Sequence, residues 1–115
     1  MSGLAIRAGW QNLDAAAAAA LPPATGVFEI ERGGAVTHIG YAGARSRFGL
    51  RGVLGERVAE EPGARFRAES TTSYLSRWRE LLGAHLAAHG ALPPGNAEEP
   101  PARLRPIGPR GATSR

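Results

Sequence analysis

Residues 26–42, GVFEIERGGAVTHIGYA, contain the pattern from which the fold of this chain can be predicted. They include two β-rich runs, GVFEIER and AVTHIGYA, and a pair of glycines, Gly33 and Gly34, stands between them. Glycine adopts the positive φ angles of two-residue hairpin turns without a steric penalty, so a glycine pair between two such runs is typical of a β-hairpin. We therefore predict that residues 26–42 form two strands joined by a tight turn.

Alternation along these two runs assigns side chains to the faces of the predicted strands. Phe28 and Ile30 lie on one face of the first strand. In the second strand the same period places Val36 and His38 on one face and Ile39 on the other. Both strands therefore carry apolar residues that need partners in a core.

The rest of the chain predicts one more strand and further helices. Apolar residues recur at helical spacing from Leu50 to Glu60, and the following EEPG ends that helix. The run ARFRAES, residues 64–70, predicts a third strand, and residues 71–89 predict a long helix that Gly90 closes. The order helix, strand, strand, helix, strand, helix predicts an α+β sandwich in which helices flank a three-stranded sheet.

Two composition shifts divide the chain into three segments. Residues 1–25 include an alanine run that ends at a proline pair, and they predict an N-terminal helical segment, although the alanines could equally be low-complexity filler. Its apolar residues at near-helical spacing are Trp10, Leu13, Ala17 and Leu21. Residues 26–96 predict the folded domain, and residues 97–115, rich in proline and arginine, predict a disordered basic tail.

Charge and composition restrict the classes of partner. The chain has 115 residues, a formal net charge of +4 and no cysteine, and all 14 of its basic residues are arginine. This charge is compatible with an anionic partner, but a chain of this size often carries such a charge for solubility alone, and the absence of cysteine excludes disulfides and thiolate metal sites. We find neither a signal peptide nor an apolar run of the roughly 20 residues that a membrane span needs, so we expect a cytoplasmic protein without membrane contact.

The last predicted helix carries a carboxylate in an unusual place. Glu80 lies opposite the apolar stripe of that helix, among small residues, which indicates that a ligand comes close to it. From this helix alone, however, a surface ion pair of Glu80 with Arg77, or with Arg79 and Arg57, is the favoured interpretation.

Five motifs in this order resemble the GIY-YIG nuclease domain. They are a GVF run, an HIG run, an arginine at the start of the following helix, a glutamate inside a later helix, and LPPGN after that helix. Each motif alone is weak, and the ordered set between residues 26 and 96 is more specific. The resemblance implies a three-stranded antiparallel sheet with the arginine and the glutamate on flanking helices.

The resemblance also implies a metal-dependent active site that hydrolyses phosphodiesters of nucleic acid. Phe28 and His38 stand where the two motif tyrosines are expected, so His38 or the nearby Tyr41 would act as the base, and an imidazole titrates near neutrality. Arg51, with Arg47 as the alternative register, would steady the phosphate. Glu80 would bind Mg²⁺ or Mn²⁺ close to Arg51.

Because Phe28 has no hydroxyl group, an alternative stands beside the nuclease hypothesis: a catalytically inactive module of the same fold that binds nucleic acid or a protein. Nucleic acid, with DNA as the expected form, is the partner in the first case. The residues expected to contact it are Arg45, Arg47, Arg65, Arg67 and Asn96, although the four arginines could instead be solvated surface charges.

Overall fold

The computed structural model describes residues 5–97. The strands are β1 (Gln11–Asn12), β2 (Gly26–Arg32), β3 (Ala35–Ala42) and β4 (Arg65–Ser70). The helices are α1 (Ala15–Ala19), α2 (Gly49–Glu60) and α3 (Tyr74–His89), and a 3₁₀ turn, Pro94–Asn96, follows them. Apart from Ala97, the tail predicted for residues 97–115 lies outside the described residues.

The strands form one antiparallel sheet in the order β1-β4-β2-β3. The predicted hairpin is confirmed: β2 pairs with β3, and Gly33 and Gly34 form the turn at φ angles of 62° and 86°. The predicted α+β class is confirmed as well. The sheet has a fourth strand that we did not predict, because Gln11 and Asn12 are two exposed polar residues without any apolar alternation.

Each face of the sheet carries its own apolar core, and the helices divide between them. The core shared with α1 and α2 contains Phe28, Ile30, Leu50, Leu54 and Phe66. The core shared with α3 contains Val27, Ile39, Trp78, Leu81 and Leu82. The sheet therefore lies between α1 and α2 on one side and α3 on the other.

A bulge in the hairpin corrects one expected face. Ile30 pairs with His38, and the next residue of β2, Glu31, pairs with Val36, so Thr37 is the extra residue of β3. A bulge of this kind reverses the alternation beyond it. Val36 consequently packs in the α3 core, and the prediction that it shares a face with His38 is wrong.

The N-terminal helix is shorter than its apolar spacing predicts. It begins after Asp14, whose side chain accepts a hydrogen bond of 2.8 Å from the Ala17 N–H, and it spans only Ala15–Ala19. Trp10 lies outside it, because Gln11–Asn12 adopt the extended backbone that pairing with β4 requires. Among residues 5–97, no helix has the length and apolar character to cross a membrane.

Candidate functional site

His38 projects from the face of β3 that is directed toward α2, and its ring stacks on Phe28 with 5.7 Å between the ring centroids. Burial, and to a lesser extent the positive charge of Arg57, lowers the pKa of His38 to about 4, and a hydrogen bond with the backbone of Gly95 opposes part of this shift. The imidazole is therefore neutral at pH 7. This pKa lies below the near-neutral range expected for the ring, and a group with such a pKa is a weak general base, so the role of His38 as the base stays a prediction.

Tyr41, the other candidate base, projects toward α3. Its ring stacks on Tyr74 at 5.6 Å and meets Trp78 edge-on at 5.0 Å. His38 and Tyr41 both border a cavity of about 210 Å³ at the outer edge of β3, and Arg57 borders it too. The arginine beside the candidate bases is therefore Arg57, whose Nη1 lies 3.2 Å from Glu61 Oε2, and the sequence did not predict its place at this cavity.

Arg51 does not border the cavity at the edge of β3. Its Nε–H donates a hydrogen bond of 2.9 Å to the carbonyl oxygen of Leu21, just after α1, while its side chain is exposed. This bond ties α2 to the end of the N-terminal segment. A positioning role for Arg51 at a phosphate remains a prediction.

Glu80 forms the ion pair with Arg77 that the helix alone favours. Arg77 Nη1 lies 2.6 Å from Glu80 Oε1, and the same guanidinium makes two bonds of 2.8 and 3.0 Å to Glu69. These carboxylates, Glu69 first, raise the pKa of Arg77. A divalent cation at Glu80 would compete with this guanidinium for the carboxylate, of which only Oε1 is paired with Arg77, and binding of Mg²⁺ or Mn²⁺ by Glu80 stays a prediction. Among residues 5–97, no three carboxylate or histidine side chains converge as metal ligands do.

Arg51 and Glu80 are not brought together. Arg51 lies on α2 and Glu80 on α3, and these helices cover opposite faces of the sheet. The proximity that the resemblance implies is therefore absent. The four groups of the implied active site are distributed over both faces and do not meet at one point.

Arg65 and Arg67 neutralise buried carboxylates. Arg67 Nε lies 2.7 Å from Glu29 Oε1, and Arg65 pairs with Glu31. Both glutamates are buried on the central strand β2, where an unpaired carboxylate would be costly. Arg67 also lies over the ring of Trp10, with its guanidinium carbon 4.4 Å from the ring centroid. A contact of these two arginines with a phosphate backbone stays a prediction, and within the sheet their charge is already compensated by Glu31 and Glu29.

Asn96 holds the outer edge of β3. Its Oδ1 accepts a hydrogen bond of 2.8 Å from the Ile39 N–H, and its Nδ2 donates one of 2.9 Å to the Ile39 carbonyl oxygen. The residue is 1% exposed. A contact of Asn96 with nucleic acid stays a prediction, and in the fold this buried amide replaces the backbone of a further strand.

The loop of residues 43–48, between β3 and α2, carries two exposed arginines and an exposed phenylalanine. Arg45 and Arg47 are exposed, and neither forms an ion pair with any residue from 5 to 97. Phe48 is 61% exposed and has a positive φ of 58°, which is unusual for a bulky residue. The guanidinium of Arg47 lies 5.7 Å from the Phe48 ring centroid.

A family model described as a domain of unknown function, DUF7508, matches residues 4–88. The chain belongs to the DUF7508 family. No curated protein and no solved structure matches the chain.

The DUF7508 match extends from before β1 into the last turn of α3. It includes the loop 43–48, both apolar cores and the ion pairs of β2 with β4. It ends before the 3₁₀ turn that carries Asn96. The bond pair between Asn96 and Ile39 thus adds an element beyond the matched domain.

Proposed function

We propose that this DUF7508 domain binds nucleic acid through the loop 43–48 without hydrolysing it. The observation that carries the proposal is the pair of exposed arginines, Arg45 and Arg47, which have no carboxylate partner among residues 5–97. Such a guanidinium can take up a phosphate without first losing a partner, and its planar fork matches phosphate oxygens. The net charge of +4 favours the same class of ligand.

The exposed ring of Phe48 supports this assignment. A bulky residue at positive φ costs roughly 1 kcal/mol of backbone strain, and here the strain accompanies a side chain that is 61% exposed. Aromatic side chains beside arginines are typical of surfaces that bind nucleic-acid strands, because bases stack on the rings while the guanidinium groups contact the backbone. DNA is the first form to test.

Hydrolysis by the route that the resemblance implies remains a hypothesis that this arrangement does not favour. It would require Arg51, Glu80 and a base at one phosphate, whereas the sheet separates Arg51 from Glu80. The ion pair with Arg77 occupies the carboxylate, and the lowered pKa of His38 weakens the base. Binding without Mg²⁺ or Mn²⁺ is therefore the proposed activity.

The test is equilibrium binding of a fluorescently labelled single-stranded DNA to the full chain, measured by anisotropy over a range of salt concentrations. We expect Arg45→Ala and Arg47→Ala each to weaken binding and to lower the slope of log K against log salt by about 0.7, which is the contribution of one phosphate contact on a single strand. The double variant should lower the slope by about 1.4.

Arg32→Ala is the matched control. It removes the same charge from an exposed arginine at the other end of the hairpin, where Arg32 lies 3.6 Å from Glu61. We expect this variant to leave the salt slope unchanged. Equal losses for Arg32→Ala and the loop variants would show that net charge, and not the loop 43–48, determines binding, and would overturn the proposal.

A further inference from the structure

A cavity of about 440 Å³ lies between the loop 43–48 and the start of α3. This volume falls within the roughly 300–1,000 Å³ that is common for small-molecule sites in proteins. The residues that line it are Tyr41, Gly43, Ala44, Arg45, Ser46, Tyr74 and Leu75. The lining therefore combines two tyrosine rings and an exposed leucine with one arginine and no carboxylate.

The two tyrosine rings of this cavity are fixed in position. Tyr74 Oη accepts a hydrogen bond of 3.2 Å from the Ala44 N–H, which joins the first turn of α3 to the loop. A Cβ at Gly43 would lie 2.9 Å from the Tyr74 ring, so only glycine lets the loop approach that ring so closely. Tyr41 stacks on Tyr74 and meets Trp78 edge-on. The rings therefore form a platform whose shape exists before any ligand binds.

Part of this platform is open to solvent. Tyr41 is 36% exposed and Leu75 is 41% exposed, so an apolar planar group can reach both without displacing a core residue. Arg45 lines the same cavity, and its charge is not compensated by a carboxylate of residues 5–97. A ligand with a flat aromatic group and an anionic group close to it matches this lining.

We infer that this cavity seats an unstacked base of a single-stranded nucleic acid, with Tyr41 as the stacking surface and Arg45 at the neighbouring phosphate. The inference rests on the proposed function and adds the form of the ligand. Bases in a duplex already stack on their neighbours, so their faces cannot reach Tyr41, whereas bases of a single strand can turn outward.

The experiment compares three labelled ligands of equal length on the full chain: a single-stranded DNA, the corresponding duplex, and an abasic strand that keeps the phosphates. We expect the abasic strand to bind about 10-fold more weakly than the single strand, because stacking of one base contributes about 1–3 kcal/mol. Tyr41→Ala should weaken binding of the single strand and leave binding of the abasic strand unchanged, and Tyr41→Phe should preserve both, because stacking needs the ring and not the hydroxyl.

A second variant avoids the packing contact of Tyr41 with Trp78. Leu75→Glu places a carboxylate at the cavity from an exposed position, and we expect it to weaken single-strand binding at least about 10-fold through like-charge repulsion and loss of the apolar wall. Leu86→Glu is the control, since Leu86 is 38% exposed on the same helix but does not line the cavity. This variant should bind as the wild type does.

The outcomes separate the two proposals. Equal affinity for the single strand and the abasic strand, or equal losses in Leu75→Glu and Leu86→Glu, would overturn the base site and leave nucleic-acid binding by the loop arginines intact. Stronger binding of the duplex than of the single strand would overturn it as well. Absence of salt-dependent binding to all three ligands would overturn both proposals together.

Discussion

Two groups of arginines in this domain have the same chemistry and opposite surroundings. On the α3 side of the sheet, Arg65, Arg67 and Arg77 each pair with a glutamate of β2 or β4. In the loop 43–48, Arg45 and Arg47 pair with no carboxylate of residues 5–97. The first group compensates charge inside the fold and the second is open to a ligand. A count of arginines therefore says little about function until each one's partner is known.

Replacing an arginine of the first group should lower the unfolding free energy far more than replacing one of the second group, and this is the largest effect that we expect. Arg67→Ala leaves the buried carboxylate of Glu29 without its partner, and breaking such a pair costs about 3 kcal/mol of unfolding free energy. Arg45→Ala, at an exposed site, should change stability by less than about 0.5 kcal/mol. Urea denaturation measures both values. Similar losses in the two variants would show that the arginines do not differ in this way.

His38 belongs to neither group of basic side chains. It forms no ion pair among residues 5–97, and its ring is only partly exposed to water. Its pKa of about 4 in the folded chain lies below the ordinary value of 6.5, which applies in the unfolded chain. The unfolded chain therefore binds this proton more readily between those values, and stability falls as the pH drops from 6.5 toward 4. Since the ring is partly exposed, we expect a loss of about 2 kcal/mol.

His38→Gln is the control for this pH dependence, because glutamine does not titrate. Carboxylates and the other histidines contribute equally to both chains, so the difference between wild type and variant isolates His38. Urea midpoints measured from pH 7 to pH 4 should decline more steeply in the wild type. Parallel curves would mean that the imidazole does not resist protonation in the fold, and its weakness as a base would no longer count against hydrolysis.

The main elements of the fold could be predicted, because they depend on local patterns. Alternation and the glycine pair identified β2 and β3, and helical spacing identified α2 and α3. The two-residue strand β1 has no such pattern, and the bulge at Thr37 depends on pairing register. Neither the strand β1 nor the bulge can be recognised from the residues of its own segment.

The surroundings of the candidate site residues could not be predicted in the same way. That Arg67 meets Glu29 follows from the register of β4 on β2, which the sequence of neither strand contains. The ion pair of Glu80 with Arg77 could be predicted from the sequence, because residues three apart on a helix are neighbours. The position of Arg57 could also be predicted, since its spacing from Leu50 and Leu54 places all three residues on one face of α2.

The smallest expected effect concerns Glu80. Glu80→Gln should change the unfolding free energy by less than about 0.5 kcal/mol, because the side chain is 48% exposed and Glu69 continues to hold Arg77 by two hydrogen bonds. Glu69→Gln is the matched comparison, and we expect a larger loss of about 1 kcal/mol, since that carboxylate accepts both bonds and is 31% exposed. Urea denaturation again measures both.

Glu80→Gln also tests the hypothesis that the domain hydrolyses nucleic acid. If Glu80 only pairs with Arg77, incubation of DNA with the chain and Mg²⁺ should give identical products for wild type and Glu80→Gln. Mg²⁺-dependent cleavage that disappears in Glu80→Gln, with stability unchanged, would mean that this carboxylate exchanges Arg77 for a cation when substrate is present. Glu80 would then belong with Arg45 and Arg47, among the charges that the fold leaves open to a ligand, and the α3 side of the sheet would be a second functional surface.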